Sequence, residues 1–263
     1  MESRFQKQLI IGLVFILILS GIGYSIYVGL VTKASCTDGV KNGKEEGLDC
    51  GILACGKACE PVIMPIEVLS TQVFTTSEGD FDFVAKLYNP NTFYGASRLE
   101  YFVDSFNYHG STYILPGQTK YVVLTSLKSP TRREKTTLVI NNVQWEKLDM
   151  PNNAVNFVLR RKDYRLTQKG SELEGVLYND SNFDFDKIDV VVILFNDTDI
   201  IVGVNKTDIR TFVSKSERGF NVAWPFSLPG NVMKQDVEAS TNLFENSNFI
   251  KSYGSSEKFQ KFY

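Results

Sequence analysis

Phe83-Val84-Ala85-Lys86-Leu87-Tyr88-Asn89 recurs further along the chain as Leu173-Glu174-Gly175-Val176-Leu177-Tyr178-Asn179, and each copy runs through a polar turn to a phenylalanine, Phe93 or Phe183. Self-similarity at a long fixed spacing indicates two copies of one structural unit. Within each copy, apolar residues fall at every second position over short runs bounded by Gly, Pro, Asn and Asp, the period of a half-buried strand. This places Phe81, Phe83, Ala85 and Leu87 inward and Asp80, Asp82 and Lys86 in water. Leu99, Tyr101 and Val103 alternate in the first copy, as do Ile188, Val190, Val192 and Leu194 in the second. Turns are expected at 107–110 and 197–199. Further strands run through Tyr121 and Val123, through Phe220, Val222 and Trp224, and through 136–145 and 236–244. About seven short strands per copy, with no helical stretch, predict an all-β fold of two tandem antiparallel β-sandwiches, at 61–150 and 151–246. Residues 247–263 read as a tail, frayed or ordered on a partner.

Upstream, 60–65 carries two prolines and reads as a stiff joint. Before it, at 32–60, lie all four cysteines, Cys36, Cys50, Cys55 and Cys59. So short a segment has too few core-forming residues to fold unaided and needs covalent staples or a metal. Tetrathiolate zinc sites show two short Cys-x2-4-Cys pairs, whereas Cys36 stands alone here, so two disulfides are expected, with three connectivities open. Further upstream, 9–31 is an unbroken apolar run. As a helix rising about 1.5 Å per residue, it exceeds the roughly 30 Å of a bilayer's hydrocarbon core. It is also far longer than the apolar region of a cleaved signal peptide, although Thr32-Lys33-Ala34 offers small residues where a signal peptidase reads. Gly21, Ser25 and Gly29 put small residues along one face of that helix. Flanking charges do not settle orientation, but disulfides belong to an oxidising compartment. The expectation is a single-pass protein of the cytoplasmic membrane, with residues 1–8 inside and the bulk of the chain extracytoplasmic.

The segment CTDGVKNGKEEGLDCGILACGKAC, 36–59, resembles a cysteine motif of bacterial surface proteins, C-x-D-G-x-x-N-G-x-E-x-G-x-D-C-G-G followed by two more cysteines; Ile52 replaces its second glycine. The resemblance implies an exported surface protein and carries no activity. Val84 to Asn91, VAKLYNPN, is similar to the strand and turn of the late-embryogenesis-abundant, water-stress type of sandwich domain. Leu173 to Ser181, with Val192-Ile193-Leu194-Phe195-Asn196, resembles the prokaryotic FxLYD domain. Both resemblances imply an immunoglobulin-like or fibronectin-like extracytoplasmic module without catalytic residues.

Composition narrows function by exclusion. With 28 Lys and Arg against 30 Asp and Glu, the chain lacks the cationic excess on which nucleic-acid affinity rests. A single histidine, His109, leaves no multi-His metal site and weakens His-dependent nucleophilic chemistry; at its expected turn it reads as a surface residue. No catalytic residue and no cofactor are expected. Asp38, Asn42, Gly43, Glu46 and Asp49 take positions 1, 5, 6, 9 and 12 of an EF-hand-like loop, a candidate calcium set, but Val40 fills the third ligand position. The alternative is Asp and Asn closing Gly-rich turns. Arg132, Arg133 and Lys135, and Arg160, Arg161, Lys162 and Arg165, form two basic clusters suited to an anionic surface or, equally, to solvated loops and strand faces. Asn179, Asn196 and Asn205 each begin an N-x-S/T sequon. Trp145 and Trp224 read as core residues. The expected role is a membrane-anchored structural or interaction protein of a prokaryotic envelope, binding a protein or envelope polymer through sandwich surfaces; a calcium- or small-ligand sensor is the alternative and an envelope hydrolase the last choice.

Overall fold

Each copy of the repeated segment is the middle strand of a three-stranded antiparallel sheet. The computed structural model describes residues 4–31, 34–76, 79–128, 136–148 and 154–253, with backbone alone at 4–5 and 28–31. The first copy contributes β1 (Glu67–Thr75), β2 (Phe81–Tyr88), β3 (Tyr94–Val103), β4 (Tyr108–Ile114), β5 (Thr119–Leu127) and β6 (Leu138–Lys147). The second contributes β7 (Phe157–Leu166), β8 (Ser171–Asn179), β9 (Phe185–Phe195), β10 (Ile201–Phe212), β11 (Glu217–Trp224) and β12 (Lys234–Ser240). Sheets β1-β2-β5 and β4-β3-β6 correspond strand for strand to β7-β8-β11 and β10-β9-β12. The sequence repeat is therefore a repeat of topology, with six strands per copy among the described residues.

Three apolar clusters tie the four sheets together. Phe83, Ala85 and Leu87 of β2 meet Leu99, Tyr101 and Val103 of β3 inside the first sandwich. In the second, Leu173 and Leu177 of β8 pack with Ile188, Val190, Val192 and Leu194 of β9, and with Trp224. Between the sandwiches, Phe74, Val84 and Val123 meet Val191, Ile193, Phe195 and Val204. Successive side chains on a strand point to opposite faces, so β9 sends one parity into its own sandwich and the other into the neighbouring one. Both sandwiches accordingly fall in one compact unit, residues 63–263.

The structure corrects several expectations, the first two through this third layer. Asp82, placed in water by alternation, is 6% exposed, its carboxylate accepting the Ser126 N–H at 3.0 Å. On β5 the sandwich interior takes Val122 and Leu124, while Val123 faces the second sandwich with Tyr121 packed against that cluster. His109 lies in β4, after a left-handed turn residue at Asn107, with its ring 4.6 Å from that of Phe102. The expected tail begins as helix α3 (Ser247–Tyr253), whose Phe249 and Ile250 are buried and whose Phe249 ring meets Phe183 at 5.3 Å. The cluster Arg132, Arg133 and Lys135, the 150/151 boundary and residues 254–263 lie outside the described residues.

Residues 1–62 form a separate unit. Its helix α1 (Arg4–Val31) contains a 22-residue apolar stretch, Gln6–Tyr27, long and apolar enough to cross a membrane, a test that a signal sequence also passes. Downstream, the disulfides are Cys36–Cys55 and Cys50–Cys59, closing the open connectivity. The single-turn helix α2 (Ile52–Cys55) sits between Gly51 and Gly56. Gly47 admits no side chain: a Cβ there would stand 2.7 Å from Cys50 Sγ and 2.9 Å from Cys59 Sγ.

Candidate functional site

Asn89 and Asn179, which end the two repeated segments, are both fully buried. Asn89 Nδ2 donates to the carbonyls of Tyr94 and Leu115, while its Oδ1 accepts from Asn91 N–H. Asn179 Nδ2 donates to the carbonyls of Phe183, Phe212 and Val213, and its Oδ1 accepts from Ser181 N–H. Each amide thus ties the end of one sheet to the connection entering the other sheet. The repeated Asn is a buried corner, and Asn179, which begins one of the three sequons, is closed to modification in the folded chain. Asn196 and Asn205 are half-buried, with Asn205 Nδ2 donating to Ala223 O.

Two grooves lie where the two sandwiches meet. One groove, of about 600 Å³, has Arg98, Thr112, Tyr113 and Gln144 on one side and Lys187, Asp189 and Asn242 on the other. A second, of about 360 Å³, shares Ser111, Thr112, Lys187 and Asp189 with it and adds Lys120, Lys206 and Thr207. Beside them is a polar cluster that the sequence reading missed. Lys120 is 5% exposed; its ammonium stands 3.2 Å from the centre of the Tyr113 ring and 3.4 Å from Ser240 Oγ. Tyr113 hydroxyl lies 3.1 Å from the same Ser240 Oγ and 3.4 Å from Asp189 Oδ2. Glu238 accepts Tyr121 N–H through Oε2, while its Oε1 is buried without a hydrogen-bond partner.

Burial sets the electrostatics, because removing a charge from water disfavours the charged form. It holds the Lys120 ammonium below the ordinary lysine value, against the opposing fields of Asp189 and Glu238. It pushes the Glu238 carboxyl above the ordinary glutamate value, with Lys120 opposing. It raises the Tyr113 phenol, an effect that the charge of Asp189 reinforces. Lysine beside serine is also how some hydrolases activate a hydroxyl. Here Ser240 is 8% exposed and is not among the residues lining either groove. A signal was present in the sequence: Lys120 shares parity with Val122 and Leu124, which puts a cation in phase with core residues.

Neither a protein-family model nor a curated protein sequence matches this chain. Its chemistry therefore rests on its own residues.

The remaining candidates are placed as follows. Asp49 accepts from the N–H groups of Asp38 and Gly39, Asp38 from Val40 N–H and Asn42 Nδ2, and Asn42 Oδ1 from Ser35 N–H. These oxygens close turns, while Glu46 enters through its backbone carbonyl, which accepts from Lys41 Nζ. Glu45 lies against the sulfurs of Cys36 and Cys55, which are bonded to each other and so offer no thiolate. The second basic cluster lies along β7, where Arg165 pairs with Glu172 and Glu174 at 2.7 Å each, Arg160 lies over Tyr178, and Lys162 donates to Gln235 O. Trp224 is a core residue whose indole N–H donates to Val204 O; Trp145 packs on the first core.

Proposed function

We propose that this chain is a single-pass protein of a prokaryotic envelope that presents its disulfide-stapled segment and fused sandwiches outside the cytoplasmic membrane and binds a protein or envelope component through them, without catalysis. The FxLYD-like and late-embryogenesis-like segments belong to this reading, as does the bacterial cysteine motif. Two disulfides within 36–59 favour the oxidising side.

The observation that carries the binding role is a difference between two equivalent edges. In the second sandwich, β7 carries Arg160, Arg161, Lys162, Asp163 and Arg165, and β12 carries Lys234 and Asp236. Charged edges resist pairing with foreign strands. Their counterparts in the first sandwich, β1 and β6, carry no charge across 68–75 and 138–145. A bulge at Leu69 interrupts β1 and leaves a regular run at 70–75, while β6 is interrupted at Asn141 and its register shifts again opposite Ser97, between Gln144 and Trp145. Val73, Ile140, Val143 and Trp145 along this side are only partly buried. Among the described residues no strand pairs with the outer side of β1 or β6, and an extended segment with alternating apolar residues would cover those side chains and pair along that side, the β-augmentation mode of recognition.

The test uses intact cells carrying the full chain. A photo-reactive side chain at Asn142 or Ser70 is expected to capture a partner, and one at Asp163 is not. Externally added protease is expected to digest the sandwiches. Protection from protease behind an intact membrane overturns the topology, and equal capture at all three positions overturns the edge assignment.

A further inference from the structure

We propose that the 360 Å³ groove between the sandwiches is a binding site for a small phosphate-bearing ligand, free phosphate or a phosphate monoester, held by Lys120 and Lys206. The volume falls within the range of small-molecule sites, and both sandwiches contribute walls. The carboxylates at its rim already have cations: Asp189 pairs with Lys187 at 2.9 Å and Asp208 with Arg210 at 3.0 Å. Two lysines that line the same groove, Lys120 and Lys206, have no carboxylate within ion-pair distance among the described residues. Lys206 donates to the Val123 carbonyl at 2.8 Å, and Lys120 meets only Ser240 Oγ and the Tyr113 ring. Asp189 and Glu238 act on Lys120 through their fields alone.

A buried cation whose direct partners are a hydroxyl and a ring, with carboxylates acting only from beyond ion-pair distance, is an expensive arrangement, and an anion entering from solvent relieves it more effectively than in water because the surroundings are less polarisable. Ser111, Thr112 and Thr207 line the same groove. Their hydroxyls donate as well as accept, so an oxyanion finds point charges and rotatable donors together, whereas a metal cation would face two ammonium groups. Desolvation holds both lysines below their ordinary value, and a bound anion favours their charged forms. Lys206 is the exposed residue of the two and Lys120 the buried one. The first captures a ligand at the mouth and the second holds it within.

The experiment is calorimetric titration of the full chain in detergent with sodium phosphate, with glycerol phosphate and with sodium chloride at matched ionic strength. Saturable heat is expected with phosphate or its monoester and not with chloride. A monoester binding more tightly than free phosphate identifies an organic phosphate as the ligand, and the reverse order identifies the free anion. Lys206→Met, at an exposed position, and Lys120→Met, which replaces a buried ammonium by an apolar group of similar length, are each expected to weaken binding about tenfold or more, as for loss of a charge-assisted hydrogen bond. Thr112→Val keeps both charges and guards against misfolded lysine variants; a smaller but measurable weakening is expected. Heat equal to that of chloride, or unchanged affinity in correctly folded Lys120→Met, overturns the proposal and leaves the edge-binding reading untouched.

Discussion

Asn179 shows how a polar side chain becomes structural. Its fully buried amide serves three carbonyls together with the N–H and hydroxyl of Ser181, so removing it takes a partner from several groups at once, although the Phe183 and Val213 carbonyls each keep a serine hydroxyl. Each buried polar group left unpaired costs about 1–3 kcal/mol. Asn179→Ala is expected to lower unfolding stability by about 3 kcal/mol in urea titrations, and Asn179→Asp to be no better, since it keeps the acceptor, loses the donors and buries a charge. The repeated Tyr-Asn was legible as the end of a strand, and its recurrence was enough to infer a duplicated unit. The role of the Asn was not legible, because two of its carbonyl partners arrive from Phe212 and Val213, more than thirty residues downstream. Local spacing can reveal a sequon and says nothing about such a partner. The same limit hid Lys120: the strand was read through Tyr121 and Val123, the other parity, and the second sandwich that buries Lys120 leaves no local mark.

β9 and β2 explain where alternation misleads. Period two identified one buried face of β9 through Ile188, Val190, Val192 and Leu194, and that face is the core of the second sandwich. The continuous run Val190 to Phe195 also satisfied the pattern of a strand buried on both faces, and Val191, Ile193 and Phe195 do fill the contact between sandwiches. Asp82 then becomes intelligible: β2 is covered on both sides, and the Ser126 N–H compensates the carboxylate there. Ile193, 1% exposed, is a suitable probe. Ile193→Ala is expected to cost about 2–5 kcal/mol, the range for truncating a buried aliphatic side chain, and Val204→Asp to split a single calorimetric transition into two as the sandwiches uncouple. The cysteine segment behaves in the opposite way. Between Cys36 and Cys59 only Glu45, Cys50 and Gly51 are buried, so the bridges replace a core. Removing a native disulfide from a small domain costs about 2–5 kcal/mol. Reduction is therefore expected to abolish protection of this segment from proteolysis and to leave the sandwich transition where it was.

The two sandwiches form one unit through an apolar centre edged by titratable groups, and this gives their union a pH dependence whose sign follows from burial. The Glu238 carboxyl is raised above its ordinary 4.5, so the folded state holds the proton more tightly than the unfolded chain does. Its stabilising contribution is complete below that value and is lost as pH rises through the raised one. The Lys120 ammonium is held below its ordinary 10.5, so its contribution is complete above that value and is lost as pH falls through the lowered one. Near neutrality both charged forms must be accommodated away from water. Compared with either flank, the contact is weakest there, up to pH 10, the ordinary tyrosine value above which the raised Tyr113 phenol begins to count against the folded state. Other carboxylates add slopes of their own, so the informative quantity is a difference between variants. Glu238→Gln keeps an acceptor for Tyr121 N–H while removing the titration. It is expected to lose less stability than the parent as pH rises from 4.5, and Lys120→Met to lose less as pH falls from 10 toward neutrality. Urea midpoints across the pH series measure both, and a Glu238→Gln curve parallel to the parent's on the acid side would show that this carboxyl is not held away from water by the second sandwich's union with the first.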